Sequence, residues 1–70
     1  MALIQLTREF RPFYAEAFLH EEVTYFRIYQ ANEYRFTMGL NEKKIWESVE
    51  KADPDLVKRL GGLIETMVPR

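Results

Sequence analysis

The sequence predicts a small α+β domain, an antiparallel meander of three to four strands packed in two layers on one C-terminal amphipathic helix. Three observations predict it. Two runs rich in Tyr, Phe, Ile, Val and Thr, Val23–Gln30 and Glu33–Leu40, are separated by a link short enough for a hairpin. A regularly alternating run, Phe13–His20, precedes them. From Asp53 onward the leucines recur at helical spacing behind an Asp-Pro start. A sheet with one apolar face and a helix with one apolar stripe close over each other as two layers.

Each element follows from its residues. The first apolar segment, 2–10, alternates only loosely and is the least regular strand. Pro12 has no amide to donate and marks an edge, a bulge or a break. In Phe13–His20, Phe13, Ala15, Ala17 and Leu19 share one face, and Tyr14, Glu16, Phe18 and His20 share the other. Glu21 and Glu22 suit the turn that follows.

The Gln30-Ala31-Asn32 link decides the faces of the next two strands. A three-residue loop with Asn32 in the left-handed region pairs Tyr29 with Glu33. Phe26 then lies opposite Phe36 and Ile28 opposite Tyr34, with Met38 on the same side, and one apolar face results. A two-residue loop would set Arg27 on the face of Phe36 and Met38, so the longer loop is preferred. Asn41, Glu42, Lys43 and Lys44 form a polar turn. The segment 45–52 fits a helix by the spacing of Ile45, Trp46 and Val49, and fits a short strand by Ile-Trp-Glu-Ser-Val; the strand is the preferred reading.

The final helix, from about Asp53 to Met67, begins on an N-cap, a first-turn proline and an acid, Asp55, at the positive end of its dipole. Leu56, Leu60, Leu63, Ile64 and Met67 form its stripe, with Lys58, Arg59 and Glu65 off it. Gly61 and Gly62 each cost about 1 kcal/mol relative to alanine inside a helix. Close approach to the aromatic residues of the sheet explains them, because a phosphate-binding glycine pair would precede a helix rather than interrupt it.

Composition bounds the function. With 70 residues there is room for a single domain, 1–70, and a core of marginal size. The chain has no cysteine, which removes disulfides and thiolate metal sites and leaves a partner subunit as the remaining aid to stability. It also accords with a reducing, cytoplasmic setting. Ten basic residues against eleven acidic ones give a charge of −1, so no global field draws the protein to nucleic acid or an anionic membrane. No apolar run approaches the ~20 residues of a membrane span. The start, MALIQLTREF, lacks the form of a signal peptide, and no function is placed on Val68-Pro69-Arg70.

A search for chemistry returns little. Nucleophilic catalysis needs a base beside the nucleophile and a third group to orient it. The single serine, Ser48, sits among glutamates with no glycine elbow, and the single histidine, His20, is far from it in sequence. His20 and Glu22 would share a strand face, but two ligands do not make a zinc site. The glutamates are scattered through polar surroundings and read as solvating charge. The expectation is a non-enzymatic protein without cofactor or metal.

What remains is the second sheet face, carrying Tyr25, Arg27, Tyr29, Arg35 and Thr37, for which the sequence offers no covering layer. Tyr and Arg are typical of protein interfaces. They can also stack bases and contact phosphates, or simply stabilise an exposed sheet through cross-strand pairs. The expectation is an interaction module that binds a protein partner or a second copy of itself through Tyr25, Arg27, Tyr29 and Arg35 or through a strand edge. Single-stranded nucleic acid is the rival, disfavoured by the near-neutral charge.

The run Arg8-Glu9-Phe10-Arg11-Pro12-Phe13, the Tyr-rich hairpin, the lone Trp46, and Asp53-Pro54-Asp55-Leu56-Val57 with Leu60-Gly61 and Ile64-Glu65 resemble a group of short uncharacterised bacterial proteins. These share a strand meander and a closing helix of the pattern DPxLVxxLGxxIE. The resemblance spans most of the chain and implies the fold; it carries no catalytic or binding residue.

Overall fold

The computed structural model describes residues 3–67, which form five strands and a helix. These are β1 (Leu3–Gln5), β2 (Phe13–His20), β3 (Val23–Gln30), β4 (Glu33–Leu40), β5 (Trp46–Ser48) and α1 (Pro54–Met67). The strands make one antiparallel sheet in chain order. The sheet therefore has five strands where three to four were expected. The loosely alternating first segment yields β1, and 45–52 yields β5 as a strand. Each is three residues long and lies at a sheet edge. Ala2, where the first segment was expected to begin, and Val68-Pro69-Arg70 lie outside the described residues.

The turns are tighter than the residue types suggest. Glu21 and Glu22 occupy a two-residue hairpin at φ 51° and 68°, with His20 paired to Val23. Positive φ at both positions gives the turn the twist that neighbouring strands need, at a steric cost to glutamate that glycine or asparagine would avoid. The second hairpin corrects the expected register. Gln30 pairs with Glu33 across a two-residue Ala31-Asn32 loop, and it is Ala31 rather than Asn32 that takes positive φ, 54°.

Two residues on, the ladder shifts. Tyr29 pairs with Tyr34 but Ile28 pairs with Phe36, so Arg35 is the extra residue of a β-bulge. Phe26 consequently faces Met38 rather than Phe36. A two-residue loop alone would have turned Arg27 toward Phe36; the bulge cancels that slip. The burial of Phe36 and Met38, 3% and 0% exposed, outweighs one irregular ladder position.

The core lies between this face and α1. Leu6, Phe13, Ala15, Phe26, Ile28, Phe36 and Met38 from the sheet side meet Val57, Leu60 and Ile64 of the helix. The helix starts as its residues dictate: the Asp53 side chain accepts the Asp55 amide at 3.0 Å, and its carbonyl accepts the Val57 amide. The buried stripe is rotated from the expected one, with Val57 fully inside while Met67 is exposed and Leu56 and Leu63 are only partly covered.

The glycine pair divides. A Cβ on Gly61 would run into the Trp46 indole at its Cγ, whereas one on Gly62 would meet nothing within 4 Å. Close approach thus accounts for Gly61 alone. Trp46 closes the β5 end of the core, 5.8 Å from the Phe26 ring, and donates its indole N–H to Glu65 at 2.7 Å.

Candidate interaction face

The sheet face turned away from α1 is assembled by alternation along each strand, interrupted once at the Arg35 bulge of β4. β1 contributes Leu3 and Gln5, β2 contributes Tyr14, Glu16 and Phe18, and β3 contributes Tyr25, Arg27 and Tyr29, as the pairings Leu3 with Glu16, Gln5 with Tyr14, and Glu16 with Arg27 require. β4 adds Tyr34, Thr37 and Gly39, and β5 adds Glu47. Among the described residues no element covers this face.

Three of the four residues expected here are brought together, and one is not. Tyr25, Arg27 and Tyr29 stand in a row along β3. Arg35 leaves the face at the bulge: its guanidinium lies 6.0 Å from the Phe13 ring, on the core side, and donates to the Gln30 side chain. Tyr34, which the assumed register placed in the core, takes its place opposite Tyr29. No glycine or proline marks the bulge, so local sequence rules could not have found it.

The face is internally connected. The Cδ1–Cε1 edge of the Tyr25 ring passes over Gly39, where a Cβ would come within 2.8 Å of its Cδ1, and the ring stacks on Phe18 at 5.8 Å. The Arg27 guanidinium sits 4.0 Å over the Phe18 ring and pairs with Glu16 at 3.2 Å. Tyr29 reaches the same carboxylate through its hydroxyl and meets Tyr34 edge-on. The Tyr34 hydroxyl donates to Glu50 at 2.6 Å and shares a hydrogen bond with Thr37. Desolvation, then the Glu50 bond, raises the Tyr34 pKa. That same hydrogen bond, with the Thr37 amide next, holds the Glu50 carboxyl below the usual range.

The two sheet edges differ. On the β5 side, where β5 is short, the Glu50 carboxylate accepts the Thr37 amide and Val49 donates to the Thr37 carbonyl. A carboxylate at an edge blocks further strand addition. On the other side, β1 pairs only with Tyr14, Ala15 and Glu16, so among the described residues Ala17, Phe18, Leu19 and His20 of β2 have no outer strand. Leu19 there is 70% exposed.

Hollows open on the surface toward either end of the sheet. One, of about 690 Å³, lies on the outer face between Tyr14 and Tyr29 and is walled by Leu3, Pro12, Glu16 and the Ala31-Asn32 turn. The other, of about 850 Å³, lies at the opposite end of the sheet beside the β4–β5 loop. Its Glu22, Glu42 and Glu47 stand beside Lys43 and Lys44, so both signs are present.

His20 and Ser48 sit on β2 and β5, with two strands between them. Among the described residues no three His, Asp or Glu side chains are grouped to hold a metal ion, and no helix is long and apolar enough to cross a membrane. Comparison with protein-family models, with curated proteins and with solved structures gives no match.

Proposed function

We propose that the chain is a non-enzymatic protein-interaction module acting through its outer sheet face, with self-association as its simplest form. The observation that carries this reading is the group of five aromatic rings, Tyr14, Phe18, Tyr25, Tyr29 and Tyr34, on a face that no element covers among the described residues. Rings held by stacking or hydrogen bonds, as Phe18, Tyr25, Tyr29 and Tyr34 are, lose little freedom on binding, which favours aromatic-rich interfaces. A single-stranded nucleic-acid partner is less well served. The face holds one guanidinium, Arg27, already paired with Glu16, and Glu47 and Glu50 add negative charge beside it. The proposal also places the protein in the cytoplasm, where a chain without cysteine loses nothing.

The test is solution mass by light scattering at low and high salt, for the natural chain and for Tyr29→Ala and Arg27→Ala. Association that resists salt and weakens in both variants, with unchanged circular dichroism, is the expected result. Salt-sensitive capture of a labelled single-stranded oligonucleotide by a monomer would favour the rival. Variants that associate as the natural chain does would remove the face from the interface.

A further inference from the structure

The end of the β3–β4 hairpin is folded against its own sequence pattern. Along β4, Tyr34, Phe36 and Met38 alternate with Arg35, Thr37 and Gly39. Unbroken alternation would place the Tyr34 ring on the core side with Phe36, and the Arg35 guanidinium on the outer face with Thr37. The bulge reverses both. Tyr34 stands on the outer face opposite Tyr29, and Arg35 lies on the core side, 6.0 Å from the Phe13 ring. The loop that accompanies the bulge is strained as well. Ala31 takes φ 54° at the first position of a two-residue turn, where glycine is preferred.

A second arrangement of residues 29–35 joins the same strands. The pair Ile28–Phe36, and every pair beyond it, stays as it is if the extra residue moves from Arg35 into the loop. Tyr29 then pairs with Arg35 and Gln30 with Tyr34, across a three-residue loop of Ala31, Asn32 and Glu33. Such a loop sets its third residue at positive φ, so Ala31 is relieved and Glu33 takes the cost instead. Alternation along β4 becomes unbroken, with Tyr34 turned toward Phe13 and Arg35 beside Tyr29 and Thr37. No residue of the core changes place.

Little separates the two arrangements in energy. Glu33, Tyr34 and Arg35 are all exposed, so no buried group has to leave its place. The observed register is held by the hydrogen bonds of the Tyr34 hydroxyl with Glu50 and Thr37, at 2.6 and 2.7 Å, and by Arg35 on the Gln30 side chain. Arg11 on Glu33 at 3.6 Å and the Ala31 amide on the Pro12 carbonyl at 2.9 Å add to it. Exposed polar contacts of this kind contribute little each. Opposed to them are the strain at Ala31 and the cover that the Phe13 side offers the Tyr34 ring. We infer that the end of the β3–β4 hairpin is a two-state element in which the bulge moves between Arg35 and the loop, so that the outer face presents Tyr34 in one state and Arg35 in the other. The exchange alters the face by one guanidinium, and a partner that binds one state better shifts the population toward it.

Nuclear magnetic resonance on the intact chain tests this. In the natural protein, relaxation dispersion is expected at the amides of residues 29–35 and not at those of Phe26, Ile28 and Met38. Glycine at each positive-φ position biases the two states in opposite directions. Ala31→Gly favours the observed register and Glu33→Gly the other, each shifting the ratio about fivefold or more, the effect of releasing one side chain from the left-handed region. The nuclear Overhauser contact of the Tyr34 ring should therefore move toward Phe13 in Glu33→Gly and toward Tyr29 in Ala31→Gly. Opposite movements together with localised exchange carry the inference. A Tyr34 ring that keeps to Tyr29 in all three proteins, the same response to both glycines, or a natural chain without exchange at residues 29–35 overturns it. Exchange that extends to Phe26 and Met38 also overturns it, because the strand pair then opens as a whole and does not slide its bulge.

Discussion

The two faces of the sheet are built from the same strands with opposite rules. On the inner face Phe13, Ala15, Phe26, Ile28, Phe36 and Met38 have no polar atom on their side chains beyond the Met38 sulfur, and they become stable only when α1 removes them from water. On the outer face nearly every ring carries a hydroxyl or lies under a guanidinium, and the side chains satisfy one another: Arg27 with Glu16 and Phe18, Tyr29 with Glu16 and Tyr34, Tyr34 with Glu50. The difference teaches that an uncovered aromatic face need not be a core awaiting a lid. It can hold itself in place and stay available to a partner.

The sharpest way to break the comparison is to put a charge on each side. Leu60 is fully buried against the sheet. Leu60→Asp loses the burial of a leucine and leaves a carboxylate with no partner, costs that together exceed about 4 kcal/mol and approach the whole stability of a small domain. Circular dichroism should show an unfolded chain at room temperature. A folded Leu60→Asp protein would mean that the inner face is not the one that holds the structure together.

Much of this two-sided plan was legible in the sequence, because alternation is a local property. Phe13 and Ala15 against Tyr14 and Glu16, and Phe26 and Ile28 against Tyr25 and Arg27, separate correctly by parity alone. The helix start was readable from Asp53 and Pro54, whose roles need no distant partner. What escaped depends on residues far apart in the chain. Arg35 becomes a bulge only because Phe36 and Met38 are wanted inside, and the two-residue hairpin forces one compensating slip. β1 and β5, three residues each, are too short to show a period and exist because β2 and β4 offer them a ladder. Val57 was missed because the stripe was drawn through Leu56; the rotation of α1 is set by Trp46, which admits Gly61 and pairs with Glu65. The candidate face suffered in the same place, losing Arg35 and gaining Tyr34.

A finer test uses the two glycines as adjacent probes of the inner face. Gly61 lies against the Trp46 ring and Gly62 in open space. Alanine gains about 1 kcal/mol in helix propensity at either position. At Gly61 the added methyl must displace the indole near its root and disturb the bond to Glu65, an overpacking cost of about 1–3 kcal/mol that outweighs the gain. Gly61→Ala should therefore lower the midpoint of a urea or thermal transition, and Gly62→Ala should raise it. Equal shifts in the two variants would show that α1 does not seat on Trp46 as described.

The smallest effect separates the outer face from simple surface polarity. Glu50 is bound by the Tyr34 hydroxyl and the Thr37 amide, and its carboxyl is held below the usual range, first by the Tyr34 bond and then by the Thr37 amide. A carboxylate whose folded pKa is depressed stabilises the fold above its unfolded pKa, and that contribution is lost as pH falls through the folded value. Glu50→Gln removes the charge, so its stability should fall less than that of the natural chain between pH 5 and pH 3, while the two differ by a small constant amount near pH 7. The group is exposed, and solvent screening keeps the difference small, so closely matched urea titrations at several pH values are needed to read it. Parallel acid limbs for the two proteins would mean that the Tyr34–Glu50–Thr37 link contributes nothing. The edge beside β5 would then be guarded by the shape of its short strand and not by the carboxylate that lies across it.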